Sequence, residues 1–176
     1  MIDAGHLRIK GGTGIRDVEL AFDKQAGYLP VTELPHHELF AGGERLTIET
    51  DGHAALPFAG SLEAPTRLEI TAPAKLSLTQ TGLTVRWKPD HAERVKLALV
   101  VSKRDGRWVV VRCKAADAAG QFTFPAELLA GLPEPPRDLQ LEVTRNQMVR
   151  VATAVEGTGV ILHASFASKL DAHEER

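Results

Sequence analysis

The stretch Leu83–Pro125, LTVRWKPDHAERVKLALVVSKRDGRWVVVRCKAADAAGQFTFP, constrains the fold more than any other part of the chain. Leu83, Val85 and Trp87 alternate with Thr84 and Arg86, the period-two pattern of a half-buried strand. Val95–Val101 and Trp108–Cys113 are apolar at most positions, which predicts strands covered on both faces. Asp105-Gly106, within the connecting segment Lys103–Arg107, predicts a two-residue hairpin turn in which both central residues take positive φ. Three consecutive strands joined by tight turns cannot be accommodated in a helical fold.

The rest of the chain extends this pattern. His6–Lys10 and Asp17–Phe22 alternate around a glycine-rich turn. That turn lacks the Gly-Lys-Ser/Thr ending of a phosphate loop and precedes a strand, so it is read as a turn alone. Tyr28–Val31, Glu44–Thr50, Leu68–Thr71 and Lys75–Thr79 read as further short strands. Pro65 and Pro73 bracket the third of these and imply an edge position or a crossing between sheets. Pro125–Leu132 is the single helical segment, with Pro at its start and Gly131 after its end, and Leu128 and Leu129 are expected to plug one end of the fold. Leu139–Val143 and Val149–Val151 flank the polar triplet Arg145-Asn146-Gln147 and predict a hairpin. Val160–Ala167 is the last strand. About ten to twelve short strands with regular turn signals and one short helix near 125–132 predict an all-β antiparallel β-sandwich, Ig-like or jelly-roll-like. The expectation is one domain over residues 1–176, with frayed residues 1–5 and a frayed charged tail at 171–176. The proline-bearing stretch 57–73 is the one place where an N-terminal sub-layer could separate from the rest.

At 176 residues the chain is long enough to bury roughly 70% of its unfolded surface. A net charge of −2 gives no general attraction for nucleic acid or anionic membrane, and neither is an expected partner. Arg67, Arg86, Lys96, Arg112 and Arg150 are scattered along strands among comparable numbers of glutamates and read as a solvated face. The single Cys113 excludes an internal disulfide and a multi-cysteine zinc site. Met1–Gly5 leads into a strand without an apolar signal core, and no window approaches the ~20 apolar residues of a membrane span.

A strand ending in Trp87-Lys88-Pro89, then a hairpin and a single Cys113, precede Gly120-Gln121-Phe122-Thr123-Phe124-Pro125-Ala126-Glu127-Leu128-Leu129-Ala130-Gly131-Leu132-Pro133. With Leu39–Thr47 and Pro57–Pro65 upstream, this pattern resembles a group of uncharacterised β-sandwich (Ig-like) secreted proteins and lipoproteins common in myxobacteria and related delta-proteobacteria. The resemblance covers residues 5–167 and rests on a core Trp, turn glycines and strand-end prolines. It implies export to the cell envelope or the extracellular space, commonly with a lipid-anchored N-terminal cysteine. This chain carries neither that cysteine nor a signal, so an upstream export segment is expected to be missing from it.

Pro35-His36-His37-Glu38 is the densest run of metal-capable side chains. Adjacent strand residues point to opposite faces, so His36 and His37 share one ion only in a bent loop, and zinc needs further ligands such as His53, His91 or Glu93. The competing reading is an exposed polar loop. Asp90–Glu93 reads as a turn at one end of the sandwich. Asp51 and Asp105 sit in turn positions without a second acidic ligand nearby, and turn formation accounts for them. Cys113 alternates with Val109 and Val111 on the inner face, which predicts an inert buried thiol rather than a nucleophile partnered by His163. No Gly-x-Ser-x-Gly, His-Glu-x-x-His or dinucleotide motif occurs. With two Trp, one Tyr and six Phe, aromatic platforms are scarce. Tyr28, Phe40 and Trp108 are the candidates outside the core, with Tyr28 and Trp108 as the ligand-binding pair. The sequence predicts a non-catalytic, exported β-sandwich domain without a cofactor, acting through its surface in adhesion, scaffolding or macromolecular binding. The alternative is a module for a carbohydrate or a divalent metal ion.

Overall fold

A computed structural model describes residues 5–12, 17–25, 27–31, 40–53, 57–78, 82–152 and 159–175, and of Gly27, Tyr28 and Pro30 the backbone only. The described residues form twelve strands: β1 (Leu7–Lys10), β2 (Asp17–Asp23), β3 (Gly27–Pro30), β4 (Arg45–Thr50), β5 (Phe58–Glu63), β6 (Ile70–Ala72), β7 (Leu83–Trp87), β8 (Arg94–Ser102), β9 (Trp108–Ala116), β10 (Gln121–Phe124), β11 (Arg137–Ala152) and β12 (Gly159–Glu174). One 3-10 turn (Asp117–Ala119) and one short helix, α1 (Ala126–Leu129), complete them. The strands make three sheets, ordered β3-β2-β1-β4-β5, β10-β7-β6 and β12-β11-β8-β9, and every pairing with a defined register is antiparallel. The all-β expectation holds.

The chain divides into two compact units, Met1–Thr66 with Gln147–Ala164, and Arg67–Asn146 with Ser165–Arg176. The boundary at Thr66 falls inside the proline-bearing stretch 57–73. β11 and β12 each supply residues to both units.

In the first unit the five-stranded sheet lines up Val18, Ile9, Ile48 and Gly60 across β2, β1, β4 and β5. Leu62, Leu162 and Ala164 are buried, with Ile48, Phe58, Val149, Val151 and Val160 packed around them. Gly60 matters because it lacks a side chain: a Cβ there would overlap Val151 Cγ2. The valine takes the volume that the glycine leaves.

The second unit is a sandwich of the three- and four-stranded sheets. Leu83, Val85 and Trp87 of β7, Val95, Leu97, Leu99 and Val101 of β8, and Leu139, Leu141 and Val143 of β11 share one core with Phe124. Phe122 and Phe124 meet edge-to-face, with ring centroids 5.1 Å apart. β6 is an edge strand, one of the two positions that Pro65 and Pro73 imply. Leu129 and Leu132 close one end of this core, whereas Leu128, expected beside them, is 42% exposed.

Five further local expectations differ from the structure. Arg145-Asn146-Gln147 is not a turn but the interior of the 16-residue β11, because Arg145 and Asn146 are both buried and hydrogen-bonded. Strand β9 is not covered on both faces, since it ends its sheet and alternates between exposed and half-buried residues from Val111 onward. In the β8–β9 connection Gly106 N–H donates to Lys103 O, which makes Arg104 and Asp105 the central pair and places the positive φ (+84°) on Gly106 after them. Residues 75–78 form no strand, although Leu76 is buried. At the C-terminal end, Asp171–Glu174 belong to β12. There Glu174 accepts hydrogen bonds from Ser77 Oγ, Leu78 N–H and Arg137 Nε.

Candidate functional site

The candidate metal ligands do not come together among the described residues. His36, His37 and Glu38 lie outside them. His91 and Glu93 are exposed in the turn before β8, and Glu93 pairs with its neighbour Arg94. No group of three His, Cys, Asp or Glu side chains placed to hold a metal ion occurs among the described residues. Of the aromatic candidates, Tyr28 has its backbone in β3 and a side chain outside the description. Trp108 opens β9 and is 67% exposed.

Trp108 lies on the outer face of the four-stranded sheet, and alternation dictates the rest of that face. Val95, Leu97, Leu99 and Val101 of β8 point inward at 0–1% exposure, so Lys96, Ala98, Val100 and Ser102 point outward. The β8–β9 register sets Lys114 opposite Lys96, Arg112 opposite Ala98, and Trp108 opposite Ser102. The β11 register sets Thr144 opposite Lys96 and Glu142 opposite Ala98.

Charge is distributed unevenly over this face. On its β11–β12 side Glu142 pairs with Lys169 at 3.3 Å, Gln140 Nε2 donates to Asp171 at 3.0 Å, and Asp138 meets His173 Nδ1 at 2.6 Å. On its β8–β9 side Lys96, Arg112 and Lys114 are exposed, and none has a side-chain ion pair or hydrogen bond among the described residues. Lys96 and Lys114 are directly opposed like charges, an arrangement that weakens a sheet. The three cations line a shallow hollow of about 500 Å³ on this face together with Glu142, whose carboxylate is engaged by Lys169. From sequence alone, Lys96 and Arg112 read as part of a solvated face balanced by glutamates. The Asp105-Gly106 turn expected from sequence pairs Lys96 with Ala115; the observed turn, centred on Arg104-Asp105, shifts the register by one residue and brings Lys114 opposite Lys96.

Other groups with chemical potential are already engaged. In the middle of β11 the Arg145 guanidinium is 1% exposed and contacts the fully buried Asp117 carboxylate at 3.1 Å. It also donates to Arg67 O at 3.2 Å and to Lys88 O. Asp117 accepts Asp90 N–H at 3.0 Å, and its carbonyl accepts Trp87 Nε1–H at 3.0 Å. This network ties the 3-10 turn and the segment after β7 to β11. A groove of about 870 Å³ beside α1 contains Lys75, Glu127, Arg137 and Glu174. Burial raises the Glu174 pKa, but hydrogen bonds from Leu78, Arg137 and Ser77 outweigh it and hold the carboxyl below its ordinary value.

Cys113 is half-buried on the inner side of β9, and burial pushes its thiol up, away from thiolate reactivity. His163 belongs to the other unit. No helix among the described residues is long and apolar enough to cross a membrane. The chain matches no protein-family model and no curated protein sequence.

Proposed function

We propose that the protein is a non-catalytic binding domain that holds a macromolecule on the outer β8–β9 face of its second unit, in the envelope or extracellular setting that its sequence resemblance implies. One observation carries this reading: three uncompensated cations and an exposed tryptophan share a face whose other half is charge-matched. Unpaired cations on a rigid sheet set up a local positive potential, and an exposed indole adds apolar area at little conformational cost.

Intrinsic fluorescence tests the reading directly. Trp87 is 2% exposed and Trp108 is 67% exposed, so an occupant of the face shifts only the Trp108 emission. Titration with an acidic polypeptide, an anionic polysaccharide and a neutral polysaccharide should give a saturable blue shift with one of the acidic partners, abolished in the triple variant Lys96→Glu/Arg112→Glu/Lys114→Glu. No saturable binding across the panel overturns it.

The exposure of Trp108 favours a second reading, a stacking platform for a neutral carbohydrate. Binding would then be insensitive to salt and survive the charge reversals, but vanish in Trp108→Ala.

A further inference from the structure

We infer that the occupant of this face is an extended acidic segment that adds to β9 as a fifth strand of the sheet, its residues alternating between acidic and apolar. The inference rests on the binding reading above and names the partner chemistry. β9 is nine residues long and terminates the sheet order, so among the described residues nothing pairs with its outer edge. Alternate N–H and C=O groups along that edge are available to a further strand.

The two faces of β9 then specify what that strand carries. On the outer face Arg112 and Lys114, with Lys96 behind them, present positive charge that has no partner among the described residues. On the inner face the core is incompletely closed. The β8 residues Val101, Leu99, Leu97 and Val95 are 0–1% exposed, whereas their β9 partners Val109, Val111, Cys113 and Ala115 run from half-buried to 37% exposed at Val109. A strand laid beside β9 sends successive side chains to opposite faces. Acidic residues on its outer positions would neutralise the cations, and apolar residues on its inner positions would complete the core seam.

The same cations also select against other strands. Charge on an edge strand is a common guard against indiscriminate pairing, and here it becomes a filter that admits only the complementary sign.

The test uses the full chain and three probes at low salt: a nine-residue peptide alternating Glu and Val, a peptide of the same composition with the Glu and Val residues in two blocks, and a sulfated polysaccharide. The expected result is that the alternating peptide binds at least about tenfold tighter than the block peptide. It should protect the β9 amides from hydrogen exchange and weaken by roughly tenfold or more on Lys114→Glu.

Equal binding of both peptides, binding of the alternating peptide without amide protection, or binding of the polysaccharide alone overturns strand addition and leaves the binding face standing. If none of the three binds and Trp108 emission does not move, the inference falls together with the binding of acidic partners. Concentration-dependent protection of β9 in the protein alone would make a second copy the occupant and also overturn the proposal.

Discussion

Arg145 Nε stands 3.1 Å from the Asp117 carboxylate, and both side chains are sealed from solvent at 1% and 0% exposure. An ion pair this deep is held by its completeness: the guanidinium also satisfies the carbonyls of Arg67 and Lys88, and the carboxylate takes Asp90 N–H. Removing Arg145 leaves a buried carboxylate uncompensated, and removing the Asp117 charge leaves the guanidinium to the more distant Asp90 carboxylate, 3.9 Å away. Asp117→Asn is therefore expected to cost about 3–5 kcal/mol in chemical denaturation, and Arg145→Met a comparable amount. The double variant Asp117→Asn/Arg145→Met should lose clearly less than the sum, because it removes both charges. Additive losses would show that the two side chains act independently.

Glu174 makes stability depend on acid. Its folded-state pKa is depressed, so its contribution is fully present above the ordinary glutamate value of about 4.3 and is lost as pH falls through the lower folded value. Glu174→Gln at neutral pH is expected to lose about 1–3 kcal/mol. The gap between the variant and the unaltered protein should narrow only below about pH 4. A gap that is constant down to pH 2 would contradict the hydrogen-bonding account.

Gly60→Ala is expected to destabilise by about 1–3 kcal/mol, because the new methyl group occupies the space filled by Val151. Val151→Ala in the same background should recover part of that loss. A neutral Gly60→Ala measured by urea unfolding would mean that β5 and the residues around Val151 can move apart without cost.

Cys113 should be slow toward thiol reagents. Burial raises its pKa, so the thiolate fraction near neutral pH falls below that of a free cysteine, whose pKa is about 8.5. Alkylation by iodoacetamide at pH 7.5 is expected to lag a free-cysteine peptide by about tenfold or more and to catch up in denaturant. Equal rates in native buffer would contradict the burial.

The strands were legible where alternation was uninterrupted. Leu83–Trp87, Arg45–Thr50 and Asp17–Asp23 fall where their patterns put them. Strand β11, one of the two 16-residue strands, was not, because Arg145-Asn146-Gln147 has the polarity of a turn. What keeps those residues inside β11 is a carboxylate 28 positions away, together with backbone carbonyls supplied by other segments. Such partners leave no local trace in the sequence. Leu128 and Leu129 are equally apolar in sequence, and only the path of a single helical turn decides that Leu129 goes in. The basic cluster was hidden for a related reason: Lys96 and Lys114 become neighbours only when the β8–β9 register is known.

The split membership of β11 and β12 has a consequence for the order in which the protein can be made. Leu162 and Ala164, two of the three buried residues of the first unit's cluster, leave the ribosome about a hundred residues after β5 is complete. At ordinary rates of synthesis that interval is roughly 5–20 s. Through it Ile48 of β4 and Phe58 and Leu62 of β5 wait for the segment that packs against them. The nascent chain is then most in need of a chaperone early in its synthesis, and a chain halted before residue 147 would leave Leu62 without Leu162 and Ala164.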